Sequence, residues 1–279
     1  LRRDDVGQPG GDGDIGECRE CGIALLPPDI NRSADRFTVE EGGIRFGLVA
    51  IKNIGRGFIQ AVMRERETGG DFTSLYDFCS RMNGSEMNKR AVENLIRSGA
   101  FDSMGARRSQ LIKVYESVMD SVAAQQRENV EGQMDFFSMT ADNNEKSNSV
   151  KEIPLPDIPE YTPEELMTME KATTGLYLSG HPMDHYRDAV RKLHSPTIVS
   201  IIEDFSRENG PERFTDGQRI TIAGVITSSK TKTTKNNSLM AYVMVEDDTA
   251  SLELLCFSRV LETCGAYMKE NQAVVVKGR

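Results

Sequence analysis

The stretch Ile54-Gly55-Arg56-Gly57 sets two glycines and an arginine between apolar runs. Glycines let a chain reverse sharply, and a helix opening after such a turn presents unpaired N–H groups at the positive end of its dipole. That chemistry suits one phosphate of a nucleic-acid backbone, and Lys52 and Arg56 add charge to it. The plan recurs around Ser98-Gly99 and Gly105, with Arg107 and Arg108 at the next helix start. Contacts of this kind position DNA without reading its sequence. Short helices also simply need glycine turns, and that plainer reading fits either hairpin taken singly. Charge favours DNA: residues 44–113 carry twelve Lys/Arg against seven Asp/Glu, a local +5 within a chain of net charge −9. A basic surface beside an acidic stretch is a different object from a uniformly acidic protein.

Two further places carry recognisable chemistry. Gln133-Met134-Asp135-Phe136-Phe137 puts two large apolar side chains in polar surroundings, which is costly without a covering partner. Burying two Phe side chains is worth about 1.5–3 kcal/mol each, a large part of the roughly 8 kcal/mol of a micromolar site. Folding back on the chain's own helices is the plain alternative. Further on, Lys230, Lys232 and Lys235 lie between strand-like runs, with Tyr242 and Phe257 on the runs that follow. Cations along a track with aromatic faces beside them suit a single strand, although either ring can equally point into a core.

No constellation for catalysis or metal binding is complete. His181 and His185 stand four apart with Asp184 between them, but Pro182 interrupts the helix that would align them and no third ligand follows. A metal-dependent hydrolase built on that pair is the weakest reading. Asp12-Gly13-Asp14 lies in a glycine-rich stretch with nothing rigid to hold it. Cys18 and Cys21 form a single CxxC without a second pair, and five scattered cysteines argue against a disulfide framework. We expect no catalytic residue, no metal and no cofactor within this chain.

The positioning elements follow from periodicity. Short helical pieces begin near Ile44, with a longer helix ending at Gly69-Gly70. Asp71 or Thr73 is placed to cap the next one. A helix over Asn88–Arg97 breaks at Ser98-Gly99, and a long amphipathic helix spans about Ala106 to Gln126. Residues 131–170 carry two basic against ten acidic residues, −8, and the Asn, Ser and Pro content within 127–160 reads as a solvated linker. Thr162-Pro163 with Glu165 forms a capping box. Period-two runs then mark strands at 219–226, 240–245, 251–257 and 273–277, with a polar basic loop over Ser228–Asn237 and a short helix before the last strand. Three strands, a helix and a strand are the order of an oligonucleotide-binding (OB) barrel lacking its fifth strand. No apolar run approaches the ~20 residues that span a bilayer. Neither that nor the polar N-terminus points to a membrane, so a cytoplasmic protein is expected.

This order of features resembles the C-terminal half of bacterial DNA polymerase III alpha subunits of the DnaE type. The resemblance rests on LPPDIN (Leu26–Asn31), FGLVAIKNIGRG (Phe46–Gly57), FTSLYDFCSRMN (Phe72–Asn83), NKRAVENLIRSGAFDSMG (Asn88–Gly105) and EKATTGLYLSGHPMDHY (Glu170–Tyr186). It implies an α+β multidomain chain, a tandem helix-hairpin-helix α-helical domain followed by a truncated OB-fold β-barrel. The implied divisions are the end of a fingers region with an aberrant or disordered N-terminus (1–25), the hairpin domain (26–126), an acidic linker (127–160), a helical closing segment (161–198) and the incomplete OB domain (199–279). Duplex DNA would meet Lys52, Ile54, Gly55, Arg56, Gly57, Gly99, Gly105, Arg107 and Arg108. Single-stranded template would meet Lys230, Lys232, Lys235 and Tyr242, and a sliding clamp would take Gln133, Met134, Asp135, Phe136 and Phe137. Phe136 departs from the family's commoner leucine but stays apolar. Other replisome subunits are further implied partners. The family's palm, with its metal-binding aspartates and magnesium, lies upstream of the matched region, so this portion would serve positioning and processivity. A stand-alone accessory module with the same two domains is the alternative.

Overall fold

The computed structural model describes residues 23–84, 87–136, 153–234 and 236–279, with backbone alone for 128–136. They form two units, residues 23–179 and residues 180–279. The segment 161–198, expected as one closing piece, is divided between them.

The first unit opens with a sheet of very short strands, β1 (Ala24–Leu26), β2 (Thr38–Glu40) and β3 (Gly43–Arg45). Their order is β1-β3-β2, with β1 parallel and β2 antiparallel to β3. Three residues per strand are too few to display a period of two, so this sheet leaves no mark in the sequence pattern. Arg45, nearly buried, is held by Glu40 at 2.8 Å and by the Pro27 carbonyl at 2.9 Å.

Four helices follow: α1 (Arg56–Gly69), α2 (Leu75–Arg81), α3 (Lys89–Arg97) and α4 (Arg108–Phe136). Ser74, rather than Asp71 or Thr73, caps α2: its side chain accepts the Asp77 N–H at 3.1 Å while Asp77 accepts the Thr73 N–H at 3.0 Å. Asn88 caps α3 by accepting the Ala91 N–H at 2.9 Å. The long helix α4 runs well past its expected end at Gln126. Residues 125–128 (Gln, Gln, Arg, Glu) are good helix formers even where the apolar stripe has ended. Chain returns as a coil over 153–160, and α5 (Pro163–Thr174) begins with the expected capping box of Thr162 and Glu165.

Phe78 lies at the centre of the core. Its ring is edge-on to Phe72 and Phe101 at 5.0 Å each and to Phe58 at 6.2 Å. One aromatic from α2 thereby holds α1 and the turn after α3 together, and these are the elements that carry the two hairpins.

The second unit starts with a 3-10 turn (Pro182–Tyr186) and two helices, α6 (Arg187–Leu193) and α7 (Ile198–Phe205). Its sheet comprises β4 (Ile220–Thr233), β5 (Leu239–Glu246), β6 (Ser251–Phe257) and β7 (Ala273–Gly278), all antiparallel in the order β6-β5-β4-β7. Helix α8 (Ser258–Cys264) connects β6 to β7. The segment expected as a basic loop is strand as far as Thr233, because it stays paired with β5 through Thr233 opposite Leu239. Ile198, Ile226, Ala241, Val243 and Val245 make the core. Asp247 fixes α7 to the sheet by accepting the Ile198 N–H at 2.7 Å.

Among the described residues no helix is long and apolar enough to cross a membrane. Phe78→Ala should lower the stability of the first unit by about 3–5 kcal/mol, measured by urea unfolding. An unchanged midpoint would contradict its central place in the core.

Candidate nucleic-acid interface

In the first hairpin the backbone reverses at Asn53, whose φ is 61°. Asparagine tolerates that left-handed region because its side chain is short and polar. The sequence placed the sharp turn at the glycines, but Gly55 is extended, with φ −72° and ψ 144°. Gly55 is instead the N-cap of α1, and it puts no side chain over the helix end. The first turn holds no acidic residue, and Gly55, Arg56 and Gly57 are all exposed. The positive end of a helix therefore opens to solvent beside a cation. Ile54 is half-buried and packs against the core.

Lys52 has a different part from the expected one. Its Nζ donates to the Ala172 carbonyl at 2.8 Å, and its N–H donates to that of Thr173 at 2.9 Å. Both carbonyls belong to the last turn of α5, where helical partners run out. From the other side Asn94 Nδ2 donates to the Lys52 carbonyl at 2.8 Å. Lys52 is thus a junction between the first hairpin, α3 and α5, and only its exposed surface remains for an anion.

The second hairpin departs further from expectation. Gly99 has φ +83°, and a Cβ there would lie 2.3 Å from Arg108 Nη2. Only glycine fits. Gly105 closes the 3-10 turn Asp102–Met104 in the left-handed region. Arg108, expected to face DNA, is buried. Its Nε and Nη2 donate to Asp102 at 2.6–3.1 Å, and its Nη1 donates to Glu170 at 3.0 Å. Glu170 Oε2 also accepts the Leu178 and Ser179 N–H groups, at 3.0 and 2.9 Å, and the Ser179 hydroxyl at 3.0 Å. A guanidinium enclosed by two carboxylates of its own chain cannot serve a phosphate outside.

The start of α4 is occupied as well. Glu160 accepts the Arg108 N–H at 2.7 Å, the Ser109 N–H at 3.0 Å and the Tyr161 N–H at 2.9 Å. Burial opposes the charge of this carboxyl, but the N–H groups of Tyr161, Ser109 and Arg108, with the Ser109 hydroxyl, outweigh it and hold the group below its ordinary range. Arg107 is exposed, yet its Nη1 donates to the Ile158 carbonyl at 2.7 Å and lies 3.5 Å from Asp157. Gln110 Nε2 donates to the Pro156 carbonyl at 2.7 Å. The coil 153–160 is a strap laid across the second hairpin. Neither Glu160 nor Glu170 was legible as a partner, since 52 and 62 residues separate them from Arg108.

On the sheet, Lys230 lies opposite Tyr242 and Tyr242 opposite Leu255, while Lys232 lies opposite Met240 and Met240 opposite Phe257. Cross-strand partners share a face, so all six side chains lie on one side of the sheet. The Lys232 ammonium sits 4.9 Å from the centre of the half-buried Tyr242 ring. Phe257 is 63% exposed rather than turned into a core.

Lys235, Phe137, Cys18 and Cys21 lie outside the described residues, as do the side chains of Gln133, Met134, Asp135 and Phe136, whose backbone closes α4. His181 caps the 3-10 turn that follows it, its Nδ1 accepting the Met183 N–H at 3.1 Å while Asp184 accepts the His181 N–H at 2.8 Å. Among the described residues no three His, Cys, Asp or Glu side chains converge as a metal site.

Residues 22–111 match a family model described as a helix-hairpin-helix motif. The DNA polymerase III subunit alpha of Vibrio cholerae is 31% identical over 266 residues, 95% of this chain and 22% of that protein. That of Saccharopolyspora erythraea is 33% identical over 271 residues, again 95% and 22%. That of Deinococcus radiodurans is 35% identical over 250 residues, 89% of this chain and 18% of that protein. The chain spans about a fifth of the length of these relatives.

Arg108→Ala strands Glu170 as an unpaired buried carboxylate and should cost about 3–5 kcal/mol in urea unfolding; a fully stable variant would return Arg108 to the surface. Glu160 has a lowered folded pKa, so its contribution is complete above about pH 4.3, the unfolded value. That contribution is lost as pH falls through the lower folded value. Glu160→Gln should remove this part of the acid unfolding profile, and an identical profile would contradict the assignment.

Proposed function

Since the chain is homologous over nearly its whole length to a segment of DNA polymerase III alpha subunits, we propose that it grips duplex DNA for a replicative polymerase. The observation that carries this reading is the open, glycine-capped start of α1 beside Arg56. A phosphate there accepts backbone N–H bonds at the positive end of a 14-residue helix. Such contacts hold any sequence equally, as a replicating enzyme requires.

The second unit takes the single-stranded template in this reading. We read its sheet as an OB-type barrel, supported by a meander of three strands and a helix before a fourth strand that pairs with the first. Lys230, Lys232 and Lys235 follow the phosphates, and Tyr242 offers its ring to a base, with Phe257 diagonal to it on the same face. Gln133–Phe137 is the proposed sliding-clamp peptide. A clamp encircling the same duplex raises the peptide's effective concentration, so modest affinity suffices for processivity. Primer extension itself, with its magnesium ions, is assigned to the palm of the whole subunit, and further replisome subunits complete the assembly.

Duplex binding by the full chain should weaken steeply with salt, as counterion release requires. Arg56→Ala should weaken it several-fold and make the log–log salt slope shallower by about 0.9, the value of one phosphate contact. Binding indifferent to ionic strength would defeat the reading. A bacterial sliding clamp should bind the chain in the micromolar range and lose the triple variant Gln133→Ala, Phe136→Ala, Phe137→Ala; undiminished binding of that variant would move the contact elsewhere.

A further inference from the structure

We propose that Glu160 is an internal stand-in for a DNA phosphate, and that the strap carrying it keeps the second hairpin closed to DNA. This inference rests on the reading that the hairpin unit binds duplex. The two hairpins share one plan: a turn, then a helix whose first N–H groups point outward. In the first, the helix start is open and exposed. In the second, the same place holds a carboxylate taking the Arg108 and Ser109 N–H groups at 2.7 and 3.0 Å. A phosphodiester has the same single charge and the same acceptor oxygens, so it can use the same donors.

A second observation marks the place as built for an oxyanion. The Ser109 hydroxyl is buried beside the carboxylate and helps hold its charge, but it lies outside ordinary hydrogen-bond geometry there. A phosphate seated in place of the carboxylate would take over this donor and bring it into full hydrogen-bond geometry.

Ile153 packs the start of the strap against the core, and the part that covers the hairpin is held differently. Between Pro156 and Glu160 its grip consists of polar contacts with Gln110, Arg107 and the helix start. Its departure would remove the charges of Asp157 and Glu160 from the hairpin. Arg107, now engaged by Ile158 and Asp157, would be released as a cation next to the vacated N–H groups. Closed, the strap repels DNA; displaced, it exposes a second phosphate site of the first hairpin's kind.

The test measures duplex binding by the full chain across a salt series, comparing wild type, Glu160→Gln and Arg56→Ala. Glu160→Gln should bind several-fold more tightly, with a salt slope steeper by about half to one, since a helix end carries roughly half a charge and Arg107 is freed. Equal or weaker binding with an unchanged slope overturns the proposal. Should Glu160→Gln prove unstable, Gln110→Ala loosens the strap at Pro156 and leaves the carboxylate intact. A smaller gain in the same direction supports the proposal, and no gain overturns it. A wild-type chain that ignores duplex would sink the reading of the first hairpin. Salt-dependent binding acquired by Glu160→Gln would still support the strap in that case, and none acquired would overturn it.

Discussion

The Arg108 guanidinium lies between Asp102 and Glu170, and much of the first unit is arranged by what those groups require. Removing such a charge from water costs several kcal/mol, recovered only when every donor meets an acceptor in good geometry. Asp102 supplies one side from the turn after α3. Glu170 supplies the other from α5, and its remaining oxygen gathers the backbone of Leu178 and Ser179. Gly99 is required because any side chain would enter the space of the guanidinium. Two ion pairs sharing one guanidinium, with the hydrogen bonds of Glu170, therefore join the second hairpin, α5 and the turn beyond α5. An isolated hairpin would lack that bracing, and the core around Phe78 places the helices without fixing this end of them.

That bracing makes the two hairpins unequal. Lys52, Arg107 and Arg108 all have the residue type of a DNA contact, yet each is drawn to acceptors within the protein. Arg56 has no ion-pair partner among the described residues, and it stands at a helix start that no side chain covers. In a chain of net charge −9, a grip on DNA depends on which cations remain unmatched rather than on how many there are. The strap sharpens the contrast, because it carries carboxylates to one hairpin and leaves the other clear.

What was legible in the sequence was what a few consecutive residues decide. Thr162, Pro163 and Glu165 specify a helix start by themselves, and the structure has that capping box. The period-two runs of β4 to β7 and the helix between the last two were equally plain. Partnerships across long separations were invisible: nothing local to Arg108 announces Glu170, and nothing local to Glu160 announces the start of α4. The basic stretch after Ile226 read as loop because its residues are polar, but strand pairing satisfies the backbone whatever the side chains are. Asn53 rather than a glycine took the left-handed turn, a choice that composition alone leaves open.

Amide hydrogen exchange of the full chain with and without a short duplex tests the central claim, that the first hairpin receives the phosphate while the second is already filled. The account predicts slowed exchange at Arg56, Gly57 and Phe58 when DNA is added. Arg108 and Ser109 should be protected in its absence and gain little more. Protection appearing at Arg108 and Ser109 only on adding DNA, with no change at the start of α1, would contradict it.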